Sequence, residues 1–246
     1  MPAPSLPPVD PALLRAALHA QVLPEPSPWP AVSQEGIRAV LLRRQSDIEP
    51  TLAALAPCLP ASLDRAVPRR RHEFLLGRLA AREAVLALGC PPERAWVGQE
   101  GRRPVWPPGL TGSISHTDSR VLAVAARCSE GVRSLGVDLE SLRAGDEAVH
   151  AIRACFAPVE REALAAHRHG LVAGFALKEA LYKCVQPLVG GWIDFEDVWV
   201  EWEAEAARPA RLRLLRTLGP GFEAGRVLLG HVSFPDGDHV CAALAC

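Results

Sequence analysis

Asp138 and Glu140, in the run Gly-Val-Asp-Leu-Glu, are two residues apart. On a strand that spacing turns both carboxylates to one face and Val137 and Leu139 to the other. Two like charges held so close on a buried strand are unfavourable unless a cation lies between them, and an all-oxygen donor set selects a hard divalent ion. Further on, Phe175 to Gln186 wound at about 100° per residue puts Phe175, Lys178, Glu179, Tyr182 and Lys183 on one side, with Leu177, Leu181 and Cys184 on the other. Taken alone, that is an amphipathic helix whose exposed face carries an ordinary ion pair. Beside Asp138 and Glu140, Glu179 would complete a magnesium site whose other positions go to water and phosphate oxygens. Lys183, one turn further, would then neutralise charge on the same phosphate.

A second group of residues is basic. The run Pro-Arg-Arg-Arg at 68–71 opens a stretch in which Arg71, Arg78 and Arg82 fall in one stripe, flanked by Phe74, Leu75, Val85 and Leu86. A single arginine in that setting snorkels from the core edge or pairs with a local carboxylate. Three in register, with Arg69 and Arg70 just before, suit an anion such as phosphate, which guanidinium meets in a bidentate way. Ser113, Ser115 and His116 are expected on a polar turn, where a hydroxyl and an imidazole would hold a phosphate. Ser-x-Ser-His is not a nucleophile elbow, and no catalytic triad is apparent.

These groups need a folded scaffold, and the chain can build one: 246 residues with 49% hydrophobic content support a real core as one large domain or two halves. No apolar run reaches transmembrane length, and the start lacks the basic and apolar blocks of a secretion signal, so no membrane association is expected. The seven cysteines are odd in number, scattered and never spaced CxxC, which suggests neither a disulfide framework nor a zinc site and points to the cytoplasm. A net charge of −1 argues against bulk nucleic-acid binding.

Residues 1–30 form a proline-rich lead-in with one short helix near Leu13 to Leu18, and Ile37 to Leu42 alternates toward a strand. A helix is predicted from Arg69 to Leu88, stopped by Gly89 and the prolines beyond it. Trp96 to Val105 reads as a hairpin around Gly101. After the central stretch a loop of small and charged residues leads to a helix from about Pro158 and another from Leu171 to Gln186. Strands are predicted at Val198 to Glu205, Arg211 to Leu215, Val227 to Phe234 and Val240 to Ala245. Ala81-Arg82-Glu83-Ala84 is echoed by Leu177-Lys178-Glu179-Ala180, and the segment from Ile114 by the segment from Val232. A duplication would give two α/β lobes, residues 1–130 and 131–246, with a cleft between them.

The order of the pieces is distinctive. Trp106-Pro107-x-Gly-x-x-Gly-Ser-Ile-Ser-His, then Gly-Val-Asp-Leu-Glu, then Phe175-x-x-Lys-Glu-Ala-x-x-Lys183 resembles the three-motif signature of the surfactin-type 4′-phosphopantetheinyl transferases. The arginine-rich helix is similar to the subgroup containing the enterobactin-synthase component. The resemblance runs from about Arg69 to Gln186; one departure is Ala176, where many members carry a small polar residue.

The resemblance implies an α/β (α+β) fold of two pseudo-symmetric subdomains acting as one pseudo-dimeric unit, with the active site in the cleft between them. It implies a magnesium-dependent holo-[acyl-carrier-protein] synthase activity. The 4′-phosphopantetheine of coenzyme A would move to a serine of an apo acyl, peptidyl or aryl carrier protein, in siderophore, polyketide or fatty acid biosynthesis, releasing adenosine 3′,5′-bisphosphate. By position, Asp138, Glu140 and Glu179 would be metal ligands, and Ser115 and His116 would hold the 3′-phosphate region of coenzyme A. Arg70 and Arg78 would contact nucleotide phosphates, Arg103 would lie near the adenine side, and Lys178 and Lys183 near the diphosphate. Glu160, in Phe156-x-Pro-x-Glu, matches an acidic residue proposed as the base that activates the acceptor serine, a role Glu179 could also take. A monomer is expected, since two lobes in one chain make a complete cleft. Two other readings use parts of the same pattern: a magnesium-dependent phosphodiesterase or nuclease, and a non-catalytic module that binds coenzyme A or a nucleotide.

Overall fold

Helix α1, Pro68–Ala87, begins where the sequence first permits it, with proline at the opening position, where its missing N–H removes no intrahelical bond. It ends at Gly89, whose φ of +79° is open to glycine at little cost, and Arg127 Nη2 donates to the terminal Leu88 carbonyl at 2.6 Å. The computed structural model containing it describes residues 21–22, 36–43, 53, 55–129, 132–143, 145–203 and 208–246. The expected helix near Leu13 to Leu18, the lead-in around it and the lobe boundary at 130 and 131 lie outside the described residues.

The fold is mixed α/β, and the chain forms two compact units, divided after Ser129. In the first, strands β1 (Gln21–Val22), β2 (Ile37–Arg43), β5 (Leu110–His116) and β6 (Arg120–Arg127) make an antiparallel sheet in the order β1-β2-β6-β5. β3 (Gly98–Glu100) and β4 (Arg103–Val105) form the predicted hairpin around Gly101. Helix α1 packs across β2, β5 and β6, burying Leu75, Leu76, Leu79 and Val85 against Val40, Val121, Ala123 and Ala125.

In the second unit, β7 (Leu135–Ser141), β8 (Val198–Glu201), β9 (Ala210–Leu214), β10 (Val227–Asp236) and β11 (His239–Ala245) form an antiparallel sheet ordered β7-β11-β10-β9-β8. Helix α4 (Gly170–Val189) lies on β7 and β11, and α2 (Asp146–Ala154) and α3 (Pro158–Ala165) pack against α4. Helix α2 falls where the sequence reads as a loop; it is nine residues long with one buried position, Ile152. Each echoed segment, from Ile114 and from Val232, is an antiparallel hairpin, β5-β6 and β10-β11. No helix among the described residues is long and apolar enough to cross a membrane.

Ser113, Ser115 and His116 are not on a turn. They lie on β5 in register with Val124, Leu122 and Val121 of β6, and both serines are buried. The turn is Thr117 to Ser119, closed by the Thr117 N–H donating to the Arg120 carbonyl. Serine favours turns locally, but pairing along a whole strand outweighs that preference.

Candidate active site

The approach of α4 to β7 depends on small residues. Gly136 lies under the helix, and a Cβ added there would meet the Ala180 carbonyl and stand 2.7 Å from the Cys184 amide nitrogen. Ala173, Ala176 and Ala180 are fully buried on the same helix. With helix and strand this close, Lys183 Nζ reaches Asp138 Oδ1 at 2.6 Å.

Asp138 is buried, and Glu140 and Glu179 are half-buried. The Glu140 carboxyl is pushed up to about 7, first by burial and then by the Asp138 charge, with Glu179 and a hydrogen bond to Asp138 adding to the rise and Lys183 opposing it. Glu179 is raised by burial and then by the charge of Asp138, again against Lys183. Asp138 and Lys183 thus bear on both Glu140 and Glu179, in opposite directions. Among the described residues, no group of three or more His, Cys, Asp or Glu side chains is placed to hold a metal ion as the structure stands. The ammonium of Lys183 holds the position at Asp138 Oδ1.

Lys178 and Glu160 form a buried ion pair in the second unit. Lys178 Nζ donates to Glu160 Oε2 at 2.9 Å, to the Phe195 carbonyl at 2.9 Å and to the Cys155 carbonyl at 3.1 Å. Three donors meet three acceptors, and the ammonium also stands over the Phe156 ring. Glu160 Oε1 accepts from the Val200 N–H at 2.7 Å. Both side chains are 2% exposed. The pair ties α3, α4 and β8 together, where the resemblance implied Lys178 near the diphosphate and Glu160 as a base. Neighbouring helical positions diverge by about 100°, so Lys178 turns toward Glu160 of α3 while Lys183 reaches Asp138 of β7.

In the first unit, Arg70 Nη1 lies 3.3 Å from His116 Nε2, joining the start of α1 to the end of β5. Glu73 sits behind both, 3.5 Å from Arg70 and 3.9 Å from His116, and also accepts from Arg69 Nε at 3.0 Å. Arg69 pairs in addition with Asp118. Glu73 is absent from the candidate residues, although its place three and four positions after Arg70 and Arg69 was a visible helical signal. Arg78 is buried over the Phe74 ring, its Nε without a hydrogen-bond partner, and desolvation lowers its pKa to about 10, helped by the charge of Arg70. Arg103 is exposed on β4, 3.9 Å from Glu100. The glycine ending the Trp-Pro motif has a steric role: a Cβ on Gly112 would come within 2.5 Å of the Trp106 ring.

Residues 59–126 match the family model described as the 4′-phosphopantetheinyl transferase N-terminal domain, and residues 134–244 match that of the 4′-phosphopantetheinyl transferase superfamily. The chain belongs to the 4′-phosphopantetheinyl transferase superfamily. Within it, the chain is 37% identical over 147 residues to the 4′-phosphopantetheinyl transferase Npt of Nocardia iowensis, covering 57% of this chain and 63% of that protein. It is 36% identical over 146 residues to the 4′-phosphopantetheinyl transferase PptT of Mycobacterium tuberculosis, covering 58% and 63%. Similarity to enterobactin synthase component D of Escherichia coli O157:H7 is 34% over 143 residues, covering 55% and 65%. The chain thus spans less than two thirds of the length of these curated relatives. Arg70, Arg78, Arg103, Ser115 and His116 fall in the stretch matched to the transferase N-terminal domain. Asp138, Glu140, Glu160, Lys178, Glu179 and Lys183 fall in the stretch matched to the transferase superfamily.

Proposed function

We propose that the chain transfers the 4′-phosphopantetheine arm of coenzyme A to a serine hydroxyl of an apo carrier protein. The observation that supports this most directly is the meeting of Lys183 with Asp138 at 2.6 Å beside Glu140 and Glu179, in a chain of this superfamily. The serine oxygen forms a bond to the β-phosphorus, and the bond from that phosphorus to adenosine 3′,5′-bisphosphate breaks. Lys183 is assigned to donate to the phosphoryl oxygens as charge gathers on them.

Asp138, Glu140 and Glu179 would hold magnesium, which when bound offsets charge on the diphosphate. The donor set fits a hard cation: all ligands are oxygens, and a carboxyl pushed up to about 7 by burial and then by its acidic neighbours gains from a cation beside it. The serine proton is assigned to Glu179, directly or through water, as a role second to holding the metal. Glu160 is set aside because both its oxygens are already engaged by Lys178 and Val200.

In the first unit, Arg70, Arg78, Ser115 and His116 are assigned to the nucleotide phosphates of coenzyme A and Arg103 to the adenine side. Arg153, Arg161 and Arg168 are assigned to docking an acidic carrier surface. We also infer a cytoplasmic compartment, in keeping with seven free cysteines, and action as a monomer.

The test is incubation with coenzyme A, magnesium and an apo carrier, read by intact mass. Gain of one phosphopantetheine group, lost in Asp138→Ala, is the expected result. Hydrolysis of coenzyme A without any carrier would replace this reading with a phosphodiesterase, and tight coenzyme A binding without turnover would replace it with a binding module.

A further inference from the structure

Two sulfurs meet in the second unit away from any assigned role. Cys184 lies on the buried face of α4, wholly shielded from solvent, and Cys246 follows the last residue of β11 and is partly exposed. The Cys184 thiol donates to Cys246 Sγ at 3.0 Å and also reaches the Ser134 carbonyl at 3.5 Å. That sulfur separation is about 1 Å longer than a covalent S–S bond. Cys246 is held at this place by its backbone: its N–H donates to the Ser134 carbonyl at 3.0 Å, and its carbonyl accepts from Ser134 N–H at 2.9 Å and from Arg133 N–H. The two sulfurs are thus already in contact on backbones that are hydrogen-bonded in place.

The two thiols are also unequal. Cys246 is pushed down, first by the hydrogen bond from Cys184 and then by the charges of Arg226 and Arg133, against burial. The same hydrogen bond and burial push Cys184 up. A partly exposed sulfur leaning toward thiolate, backed by a sheltered protonated one, is the asymmetry that thiol–disulfide exchange uses.

We propose that Cys184 and Cys246 form a reversible dithiol–disulfide couple that exchanges with low-molecular-weight disulfides. The Cys246 thiolate attacks one sulfur of the small disulfide, forming a mixed disulfide and releasing one small thiolate. Cys184 gives its proton to that thiolate and attacks the Cys246 sulfur, expelling the second small thiolate, which takes a proton from solvent. Two electrons pass from the protein pair to the small disulfide, leaving a protein disulfide and two small thiols. The new bond joins positions 62 residues apart and ties the end of β11 to α4 one residue beyond Lys183. In a reducing compartment the dithiol is the resting form and the bond forms on an oxidising shift.

The full chain is treated with oxidised glutathione under native conditions, then denatured, alkylated and analysed by intact mass and peptide mapping. The wild-type protein should lose two hydrogen masses, yield a crosslinked peptide joining 184 to 246, and melt at a higher temperature than the reduced form until dithiothreitol reverses it. Cys184→Ser should instead retain one glutathione on Cys246, and Cys246→Ser should show neither product. Alkylation of both thiols in the wild type, a stable glutathione adduct on its Cys246, or a crosslink from Cys184 to another cysteine would overturn the proposal. None of these readouts depends on transferase activity.

Discussion

Lys183 and Asp138, 45 residues apart in the chain, meet at 2.6 Å because Gly136 lets α4 lie directly on β7. The contact joins the strand that ends in two carboxylates to the helix that carries a third. It also gives the acidic cluster an ammonium that opposes the upward shift of both Glu140 and Glu179. Most of the expected behaviour of the site follows from that pairing.

Replacing Lys183 by alanine removes a cation from the place where phosphoryl charge would develop. Carrier modification should fall by about 10²–10³-fold in kcat. The KM for coenzyme A should change far less, and a loss confined to KM would reject the assigned role. Steady-state kinetics with varied coenzyme A separates the two.

The Glu140 carboxyl, raised from its ordinary 4.5 to about 7, sets a pH dependence with a definite sign. Without metal, the fold favours the protonated form. The stability this lends is complete below 4.5 and is lost as pH rises to about 7. A cation binds the ionised form, so apparent magnesium affinity should climb by up to about tenfold per pH unit below that value and level off above it. Calorimetric titration between pH 5.5 and 8.5, in roughly half-unit steps, reads the slope; a flat profile would count against Glu140 as a ligand.

Glu160→Gln and Lys178→Met should each destabilise the protein by about 3–5 kcal/mol, since either leaves a buried charge without its partner. The double variant should recover much of that loss. Urea unfolding measures all three. Should Glu160→Gln keep its stability while abolishing turnover, the catalytic-base role would be restored to Glu160.

Arg78→Met should move stability and binding in opposite directions. The buried guanidinium has an Nε without a hydrogen-bond partner, so its removal should raise the melting temperature of the ligand-free protein. Affinity for adenosine 3′,5′-bisphosphate should fall by about tenfold or more, equivalent to at least about 1.4 kcal/mol. Melting curves and calorimetry test this together, and unchanged nucleotide binding would remove Arg78 from the site.

Gly136→Ala adds one methyl group where the Ala180 carbonyl and the Cys184 amide already stand. Overpacking of this kind costs about 1–3 kcal/mol or more. Because α4 must back away from β7, Lys183 should lose Asp138 and activity should fall further than stability alone predicts. Activity measured well below the melting temperature distinguishes the two effects.

Local order was legible from residue spacing. Pro68 and Gly89 bracket α1, the Gly101 turn marks a hairpin, and Asp138 and Glu140 share a strand with Val137 and Leu139 buried between and beside them. Each of these depends on backbone preference or side-chain period within a few residues. The joint order of the three motifs also announced the family to which the matched stretches belong.

What lies opposite a side chain was not legible. Periodicity places Lys178 and Lys183 on one broad helical side, but only the docking of α3 and β8 gives Lys178 to Glu160, while β7 gives Lys183 to Asp138. Ser113 and Ser115, turn formers by preference, became strand residues because β6 supplied a full ladder of partners. Sequence by itself determined the elements and the kinds of charge they carry, since those follow from short-range sterics and apolar spacing. Which charges meet was decided by the tertiary structure, because that depends on how closely two distant surfaces can pack.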